Sequence, residues 1–253
     1  MNWRGAFTIY RWELARTWRT LFESILSPVL TTSLYFVVFG TAIGGQIQMI
    51  GGVSYAAFIV PGLLLMTVLN ESTANASFGI YLPRFTGSIY ELLSSPTGVT
   101  ETVIGYIGAA ATKSVILAAI IVLTARLFVD FHVVHPVLAV GFVVLIAISF
   151  SAFGFILGCW ADGFEKLQVV PMLVLTPLTF LGGTFYSLDM LQEPWRSVAM
   201  ANPVVYLVNG LRWTFYGQAD VDIRISFALT LAFLGVCAAV IGWIFRTGYR
   251  LRT

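Results

Sequence analysis

The sequence has 253 residues, of which 58% are hydrophobic and only 10% are charged, whereas soluble proteins average roughly 45–50% apolar and about 25% charged residues. The net charge is only +2, and Lys and Arg are spread along the chain. This excludes the clustered positive charge that is typical of a nucleic-acid-binding protein. The composition therefore predicts an integral membrane protein whose main surroundings are lipid.

The N-terminal segment, residues 3 to 21, has the pattern of an amphipathic helix. Its apolar side chains fall on one helical stripe, formed by Trp3, Phe7, Tyr10, Leu14, Trp18 and Leu21. The basic residues lie away from the centre of that stripe: Arg4, Arg11, Arg16 and Arg19. Because Arg and Trp together are typical of the headgroup boundary, we predict that residues 1 to 22 form a helix on the cytoplasmic surface of the membrane. The alternative is a buried helix of the soluble type.

Six apolar stretches have, or nearly have, the roughly 20 residues that a helix needs to cross a bilayer. They are residues 25 to 43, 55 to 78, 103 to 128, 137 to 160, 167 to 184 and 225 to 245. Since Lys and Arg are retained on the cytoplasmic side, and most of them here flank the termini and the loops after the second and fourth stretches, we predict cytoplasmic termini. The sequence thus predicts an all-α membrane protein with six transmembrane helices in a single domain, residues 1 to 253. Cys159 and Cys237 lie within these stretches, so no disulfide is expected.

Two loops between the stretches are predicted to contain helices that do not cross the membrane. In residues 83 to 98, helical spacing relates Phe85, Ile89, Leu92 and Leu93, and the pattern ends at Pro96 and Gly98. Residues 182 to 217 are rich in aromatic side chains and contain Pro194 and Pro203. This second pattern predicts short, broken helices at the outer interface that dip into the membrane.

Motifs for independent energy conversion or catalysis are absent from the sequence. It contains no G-x-x-x-x-G-K-[ST] loop to hold the phosphates of ATP, and no evident internal repeat of the kind found in secondary transporters. Candidate catalytic residues, Glu71, Asp162 and His132, fall on different segments, which argues against an intramembrane enzyme. His132 and His135 have the separation of metal ligands but no acidic or cysteine cluster beside them, so no metal site is predicted. A self-contained transporter or channel stays as the alternative to a protein driven by a partner ATPase.

Two motifs carry a resemblance to a known family. The first is Val60-Pro61-Gly62-Leu63-Leu64, followed about twenty residues later by RFTGSIYELLSSP at residues 84 to 96. The second is GGTFYSLD at residues 182 to 189, continued by Pro194-Trp195, Asn202-Pro203 and YLVNGLR at residues 206 to 212. Over nearly its whole length the chain resembles the permeases of type-2 ABC exporters, in the branch that exports polysaccharides, lipo-oligosaccharides and drugs. Ser187 departs from that pattern, because many relatives have Pro there, and so does the Leu191-Gln192-Glu193-Pro194 stretch.

The resemblance implies a dimer of six-span permeases, either two identical copies or a pair with a sister permease. Two ABC ATPase subunits would lie beneath it, at the inner (plasma) membrane of a bacterium. ATP and Mg would bind to the ATPase, so the resemblance implies neither a cofactor nor a catalytic residue on this chain. The implied activity is export of a glycan, a lipid-linked molecule or a hydrophobic compound.

The resemblance also implies roles for the segments that do not cross the membrane. Residues 83 to 98 would form a coupling helix seated in the ATPase, beside the N-terminal helix; the alternative is an ordinary interfacial loop. The implied coupling residues are Arg84, Gly87, Ile89, Glu91, Leu92, Leu93 and Pro96, with Arg11 and Arg16. Residues 182 to 217 would close the exit, with Phe185, Tyr186, Trp195, Tyr206 and Arg212 as outer-gate residues. The alternative for these aromatic side chains is simple anchoring at the interface.

Polar residues occur inside the second and third apolar stretches. At helical spacing, the second contains Thr67, Asn70, Glu71 and Asn75. A carboxylate at membrane depth usually faces a cavity or a partner, so we predict that this stripe either lines the transport route or forms hydrogen bonds between helices. Lys113, in the third stretch, is predicted to snorkel to the cytoplasmic surface; the alternative is that it pairs with Glu71.

Two G-x-x-x-G pairs allow close contact between helices. They are Gly40 with Gly44 and Gly154 with Gly158. Each pair marks either the contact between two copies or packing within one chain, and the sequence alone does not choose between these alternatives.

Overall fold

The computed structural model describes residues 2–19, 21–44, 49–94 and 97–249, and most of them are helical. The helices are α1 (Trp3–Arg19), α2 (Leu21–Val37), α3 (Tyr55–Phe58), α4 (Val60–Thr86), α5 (Ile89–Ser94), α6 (Val99–Phe128), α7 (Pro136–Trp160), α8 (Phe164–Val170), α9 (Thr176–Leu181), α10 (Trp195–Met200), α11 (Pro203–Tyr216) and α12 (Ile223–Thr247). A π-helical segment, Val38–Ile43, continues α2, and another, Pro171–Leu175, joins α8 to α9. A short antiparallel hairpin, β1 (Met49–Ile50) with β2 (Val53–Ser54), precedes α3.

Five helical stretches of the described residues are long and apolar enough to cross a membrane. They are Tyr55–Thr86, Val99–Phe128, Pro136–Trp160, Phe164–Leu181 and Ile223–Thr247. A sixth is reached if α1 and the helix over Ser24–Gly40, which meet at 62°, are counted as one bent pair. The six stretches predicted from the sequence fall on these helices, and the predicted all-α membrane fold is confirmed.

The second span extends further than predicted. Its helix continues through Pro83 to Thr86 and ends where Gly87 adopts a left-handed φ of 79°. Pro83 does not break the helix because it is buried against neighbouring helices, whose packing outweighs the missing hydrogen bond. Phe85 therefore belongs to α4, and the helix predicted within residues 83 to 98 is reduced to the six residues of α5.

The centre of the bundle is α4, which packs on both α7 and α6. Along the contact with α7, Gly154 lies against the backbone of Thr73, and Gly158 lies against the backbone of Ser77. Because these glycines have no side chains, the two backbones approach closely. This G-x-x-x-G pair therefore serves packing within one chain.

The fifth span is a broken helix at the periphery. The π-helical segment between α8 and α9 begins at Pro171. Proline has no backbone N–H and its ring displaces the preceding turn, so the regular ladder of hydrogen bonds is interrupted there. Within the chain, 22% of this apolar span is buried, which leaves most of its surface to lipid or to a partner.

The N-terminal helix α1 lies against α6. The Tyr10 hydroxyl is 3.0 Å from Thr112 Oγ1 in this contact. Other aromatic residues of α1 are uncovered, with Trp3, Phe7 and Trp18 65%, 62% and 66% exposed. An aromatic surface beside a membrane-spanning bundle is what the predicted interfacial helix requires.

The bundle has two ends of different character. The terminus end holds α1, α5 and the last turns of α12, which share an apolar cluster. The loop end holds the β1–β2 hairpin, residues 129–135 and residues 182–222. In the last of these, a 3₁₀ turn, α10 and α11 form the short broken helices that the aromatic, proline-containing pattern predicted.

Candidate functional site

A polar groove of about 200 Å³ runs between α2 and α4. The α4 wall holds Thr67, Asn70 and Glu71, which are half-buried although most of α4 is buried. The α2 wall contributes the hydroxyl-bearing residues Ser27, Thr31, Thr32 and Tyr35. The groove thus brings most of the predicted polar stripe to a surface that the chain itself leaves open.

Thr67 and Asn70 are satisfied by their own helix. The Thr67 hydroxyl donates to the Leu63 carbonyl at 3.1 Å, and Asn70 Nδ2 donates to the Met66 carbonyl at 2.9 Å. Each carbonyl lies one turn earlier on α4, so no second helix is needed to hold these side chains. Their role in the groove is to make its wall polar rather than to join helices.

Glu71, Asn75 and Lys113 form a charged cluster between α4 and α6. Lys113 Nζ donates to Asn75 Oδ1 at 2.6 Å and lies 3.5 Å from Glu71 Oε2. Asn75 Nδ2 in turn donates to Glu71 Oε2 at 3.0 Å. The three side chains therefore balance one another's charge and hydrogen-bonding groups, and Glu71 connects this cluster to the groove.

The prediction that Lys113 snorkels to the membrane surface is wrong, and the alternative that it pairs with Glu71 is confirmed. Its side chain is 10% exposed and its ammonium group binds Asn75 and Glu71. Leu14 of α1 and Ile25 of α2 border the same small cavity as Lys113, so these helices cover the way to the surface. The ammonium group pairs with the nearest acceptors instead, because an unpaired charge at this depth is costly.

The coupling residues implied by the family resemblance lie at the terminus end. Ile89 is 3% exposed and attaches α5 to the apolar cluster there, whereas Glu91 is exposed. The side chains of Leu92 and Leu93, and the whole of Pro96, lie outside the described residues. Gly87 supplies the left-handed turn between α4 and α5, with a φ of 79°. Of the residues described, α5 thus presents Glu91 outward and uses Ile89 as its anchor.

The two arginines of α1 that the resemblance implies for coupling, Arg11 and Arg16, have different environments. Arg11 is exposed, whereas Arg16 forms a salt bridge with the buried Glu13 and lies 5.1 Å from the centroid of the Phe78 ring. Burial raises the pKa of Glu13, and the charge of Arg16 opposes that shift. Arg16 therefore joins α1 to α4, and Arg11 is the one accessible to a partner.

Arg84 caps the end of α7. Its Nη1 donates to the carbonyl oxygen of Gly158 at 2.7 Å and to that of Ala161 at 3.3 Å. Carbonyls at the end of a helix have no partner inside the helix, and a positive charge is favoured there. Arg84 thus fixes the end of α4 that precedes α5 to its neighbour α7.

We expect Arg84→Met to lower the free energy of unfolding by about 2 kcal/mol, because two charge-assisted hydrogen bonds are lost. Thermal unfolding of the purified protein in detergent micelles measures this change. Arg11→Met, at an exposed position of the same end, is the matched control and should change stability by less than about 0.5 kcal/mol. Equal stability of the two variants would contradict the capping role.

Arg212 is the buried anchor of the loop end. Its Nη2 donates to the Gly183 carbonyl at 2.7 Å, and its guanidinium carbon lies 3.8 Å from the centroid of the Phe58 ring. Asp220 Oδ2 lies 3.8 Å from Nη1. Burial lowers the pKa of Arg212 to about 10, although the Asp220 charge opposes that shift, so Arg212 stays charged at neutral pH.

Asp220, which no sequence pattern indicated, holds the segments of the loop end together. Its Oδ2 accepts from the backbone N–H of Leu188 at 3.0 Å and from the Ser187 hydroxyl at 3.1 Å. Its own backbone N–H donates to Asn209 Oδ1 at 2.9 Å. Together with Arg212, these contacts tie the segment after α9 to α11 and to the turn before α12. Asp220 stands outside the two sequence motifs, so no local pattern indicated this role.

The predicted outer-gate aromatics divide into two groups. Phe185 packs on Tyr35 and Phe39, with ring centroids 5.6 and 4.6 Å apart. Because Tyr35 also lines the polar groove, Phe185 connects the loop end to that groove. The others are bonded within their own segment or exposed: Tyr186 donates to the Leu181 carbonyl, Tyr206 donates to the Met200 carbonyl, and Trp195 is 62% exposed.

Comparison with known families and proteins gives matches along the whole chain. The model of a family described as ABC-2 type transporter matches residues 5–216. The inner membrane transport permease YadH of Escherichia coli (strain K12) is 34% identical over 254 aligned residues, which cover 100% of this chain and 99% of YadH. Nodulation protein J of Rhizobium leguminosarum bv. viciae is 22% identical over 93% of this chain and 90% of that protein. Nodulation protein J of Rhizobium leguminosarum bv. trifolii is 24% identical over 88% and 84% respectively.

Proposed function

This chain belongs to the ABC-2 type transporter family, and from that premise we propose that it is the permease subunit of an exporter whose ATPase is a separate polypeptide. The exporter moves a glycan, a lipid-linked molecule or a hydrophobic compound out of the cytoplasm. Similarity to a protein named as an inner membrane transport permease supports a place in the inner membrane. This chain contributes no catalytic residue, because ATP and Mg bind to the partner.

The polar wall of α4 is the observation that carries this proposal. Thr67, Asn70 and Glu71 line a groove at membrane depth that one copy of the chain leaves open. A carboxylate at that depth, such as that of Glu71, usually faces a water-filled cavity or a partner. The groove is therefore one half of a transport route, and a second copy of the permease, identical or related, supplies the other half.

Exposed apolar side chains on α2 and the fifth span also support pairing of two permease copies. Both α2 and the broken fifth span contact α4 or its neighbours, yet each leaves large apolar side chains exposed. They include Leu30, Leu34, Met172 and Leu173, which are 59%, 62%, 72% and 66% exposed. A two-fold partner placed against these helices covers them and closes the groove into a route.

Energy enters at the terminus end, which lies in the cytoplasm. Two ATPase subunits contact α5 through Glu91, Leu92 and Leu93, with Arg11 of α1 beside them. Arg84 and Ile89 transmit the movement of α5, because the first holds α4 to α7 and the second holds α5 to the apolar cluster. A short rigid helix joined to two spans can convert closure of the ATPase into a tilt of those spans.

In this proposal, the loop end closes the outer exit of the transport route. The Arg212 and Asp220 network holds the segment after α9 in place, and Phe185 of that segment packs on α2 beside the groove. Movement of α2 relative to α4 would therefore change the packing of Phe185. Phe185, Tyr186, Trp195, Tyr206 and Arg212 belong to this gate in the proposal.

The test is copurification with candidate ABC ATPases, followed by ATP hydrolysis in lipid nanodiscs. We expect Glu91→Ala/Leu92→Ala/Leu93→Ala to reduce the bound ATPase about tenfold or more, as truncation of the centre of an interface does. Glu165→Ala, at an exposed acid of the same end on α8, is the control and should leave binding unchanged.

Two results would overturn the proposal. In the first, no ATPase binds the intact permease and transport follows an ion gradient, which would favour the self-contained transporter. In the second, an ATPase binds but the triple variant, still folded, binds and stimulates it normally, which would remove α5 from the contact.

A further inference from the structure

A second groove, separate from the polar one, lies between α6 and α7 near the loop end. Its volume is about 370 Å³, within the range of roughly 300–1,000 Å³ found for ligand pockets. Its floor is buried, since Leu64, Val143 and Phe215 are 1%, 7% and 2% exposed. Its rim is open, with Leu123 and Val140 67% and 62% exposed. The lining side chains are almost all apolar, so the groove suits a hydrocarbon chain and offers little to a polar ligand.

The apolar groove lies on the side of α6 opposite Lys113. Val115, Ala119 and Val122 line the apolar groove and share one helical face, because they are three or four residues apart. Val122 follows Lys113 by nine residues, which is about two and a half turns and places the two on opposite faces. The apolar groove therefore has no contact with the Glu71 cluster and belongs to a different surface of the bundle.

Arg126 stands at one end of the apolar groove. It follows Val122 by one turn on the same face of α6. Its guanidinium carbon lies 4.9 Å from the centroid of the Phe131 ring, and Phe131 stacks on Phe215 of the groove floor at 6.0 Å. Arg126 is exposed, and among the residues that the structure describes it forms no salt bridge. An accessible positive charge is thus placed next to the mouth of an apolar groove.

We propose that this groove binds an acyl chain of an anionic phospholipid whose phosphate pairs with Arg126. The lining of α6 from Val115 to Leu123 extends about 12 Å, at about 1.5 Å per residue, and Arg126 lies within one further turn. The ligand is therefore apolar along its length and negatively charged at one end. A guanidinium group suits phosphate because it forms two parallel hydrogen bonds with its oxygens.

A phospholipid of the leaflet at the loop end meets both requirements. Its chains lie at the depth of the groove, and its phosphate lies where the span ends. Arg126 favours the phospholipid over a purely apolar partner surface, because such a surface would leave its charge without a counterpart. The inference depends on neither an ATPase nor transport, so its outcome is independent of the proposed function.

The test is native mass spectrometry of the protein after equilibration in nanodiscs that contain equal amounts of phosphatidylglycerol and phosphatidylcholine. We expect the unmodified protein to retain phosphatidylglycerol in preference to phosphatidylcholine. Arg126→Gln and Ala119→Phe should each reduce the retained phosphatidylglycerol about tenfold, the size expected for one charge-assisted contact or a filled groove. Ala119 is exposed and lines the groove, so the larger side chain fills it without disturbing the core. Arg126→Lys keeps the charge but loses the paired hydrogen bonds, so it should retain an amount of phosphatidylglycerol between those of the unmodified protein and Arg126→Gln.

Matched controls use exposed positions on another helix. Arg224→Gln removes an exposed arginine at the same end, and Ala228→Phe adds a ring to an exposed alanine of α12. Both should retain phosphatidylglycerol as the unmodified protein does. Equal retention of the two lipids, or loss of lipid in Arg126→Lys equal to that in Arg126→Gln, would overturn the proposal. Efficient disulfide crosslinking of Leu123→Cys between two copies in membranes would overturn it as well, because the groove would then be a protein contact.

Discussion

Lys113→Met is expected to destabilise the protein by about 3 kcal/mol, because Glu71 then lies at membrane depth without its cation. In the intact protein Lys113 Nζ is 3.5 Å from Glu71 Oε2 and donates to Asn75 Oδ1 at 2.6 Å. Methionine is similar in length and flexibility to the lysine stem, so the lost stability reports on the charge rather than on packing. Thermal unfolding of the purified protein in detergent micelles measures the change.

The double variant Glu71→Gln/Lys113→Met separates the pairing of charges from the packing of the helices. It removes both charges and leaves Asn75 beside a neutral amide, so we expect it to recover at least half of the lost stability. Lys166→Met is the matched control, because its partner Asp162, 2.7 Å away, forms an exposed pair whose contribution is below about 1 kcal/mol. If Lys113→Met were as stable as Lys166→Met, the cluster would have no role in holding α4 to α6.

Transport by the double variant then decides between the two hypotheses for Glu71. If the charge acts in the route, the recovered double variant folds but transports its cargo more slowly. If Glu71 serves only to bind Lys113, transport recovers together with stability. The two hypotheses predict different results because Glu71 belongs both to the charged cluster with Lys113 and to the polar groove.

Gly158→Ala is expected to destabilise the protein by about 2 to 3 kcal/mol, although alanine is a better helix former than glycine. A Cβ atom added at Gly158 would overlap the carbonyl oxygen of Ser77, and one added at Gly154 would overlap that of Thr73. Both obstacles are backbone atoms of α4 and cannot turn away as a side chain can. The two central helices would have to separate, and their packing contributes much of the stability of the bundle.

Gly141→Ala provides the control on the same helix. No atom lies within 4 Å of a Cβ built at Gly141, so only helix propensity changes there. We expect no loss, and a gain of up to about 1 kcal/mol. Thermal unfolding of the two glycine variants side by side checks the sign of the change at each position. A Gly158→Ala protein as stable as Gly141→Ala would contradict the close contact between α4 and α7.

The polar stripe of the candidate site could be predicted because its members recur at helical spacing inside an apolar run. Among their partners, only Lys113 could be named from the sequence, as the alternative to snorkelling. Asn75 is separated from Lys113 by 38 residues, and nothing near either residue in the sequence indicates that α4 and α6 are adjacent. Lys113 was predicted to reach the surface because snorkelling is the usual behaviour of a lysine near the end of a span. That prediction failed because α1 and α2 cover this position.

By itself, the sequence determined that the chain is a helical membrane protein with about six spans, an amphipathic N-terminal helix and a broken segment before α12. These features depend on local patterns, since each span must be apolar over about 20 residues and must satisfy its own backbone hydrogen bonds. Only the tertiary structure decided that α4 continues through Pro83, that Arg84 caps α7, and that Asp220 organises the loop end. Each of these depends on groups far apart in the sequence, where packing and long-range hydrogen bonds outweigh local propensity.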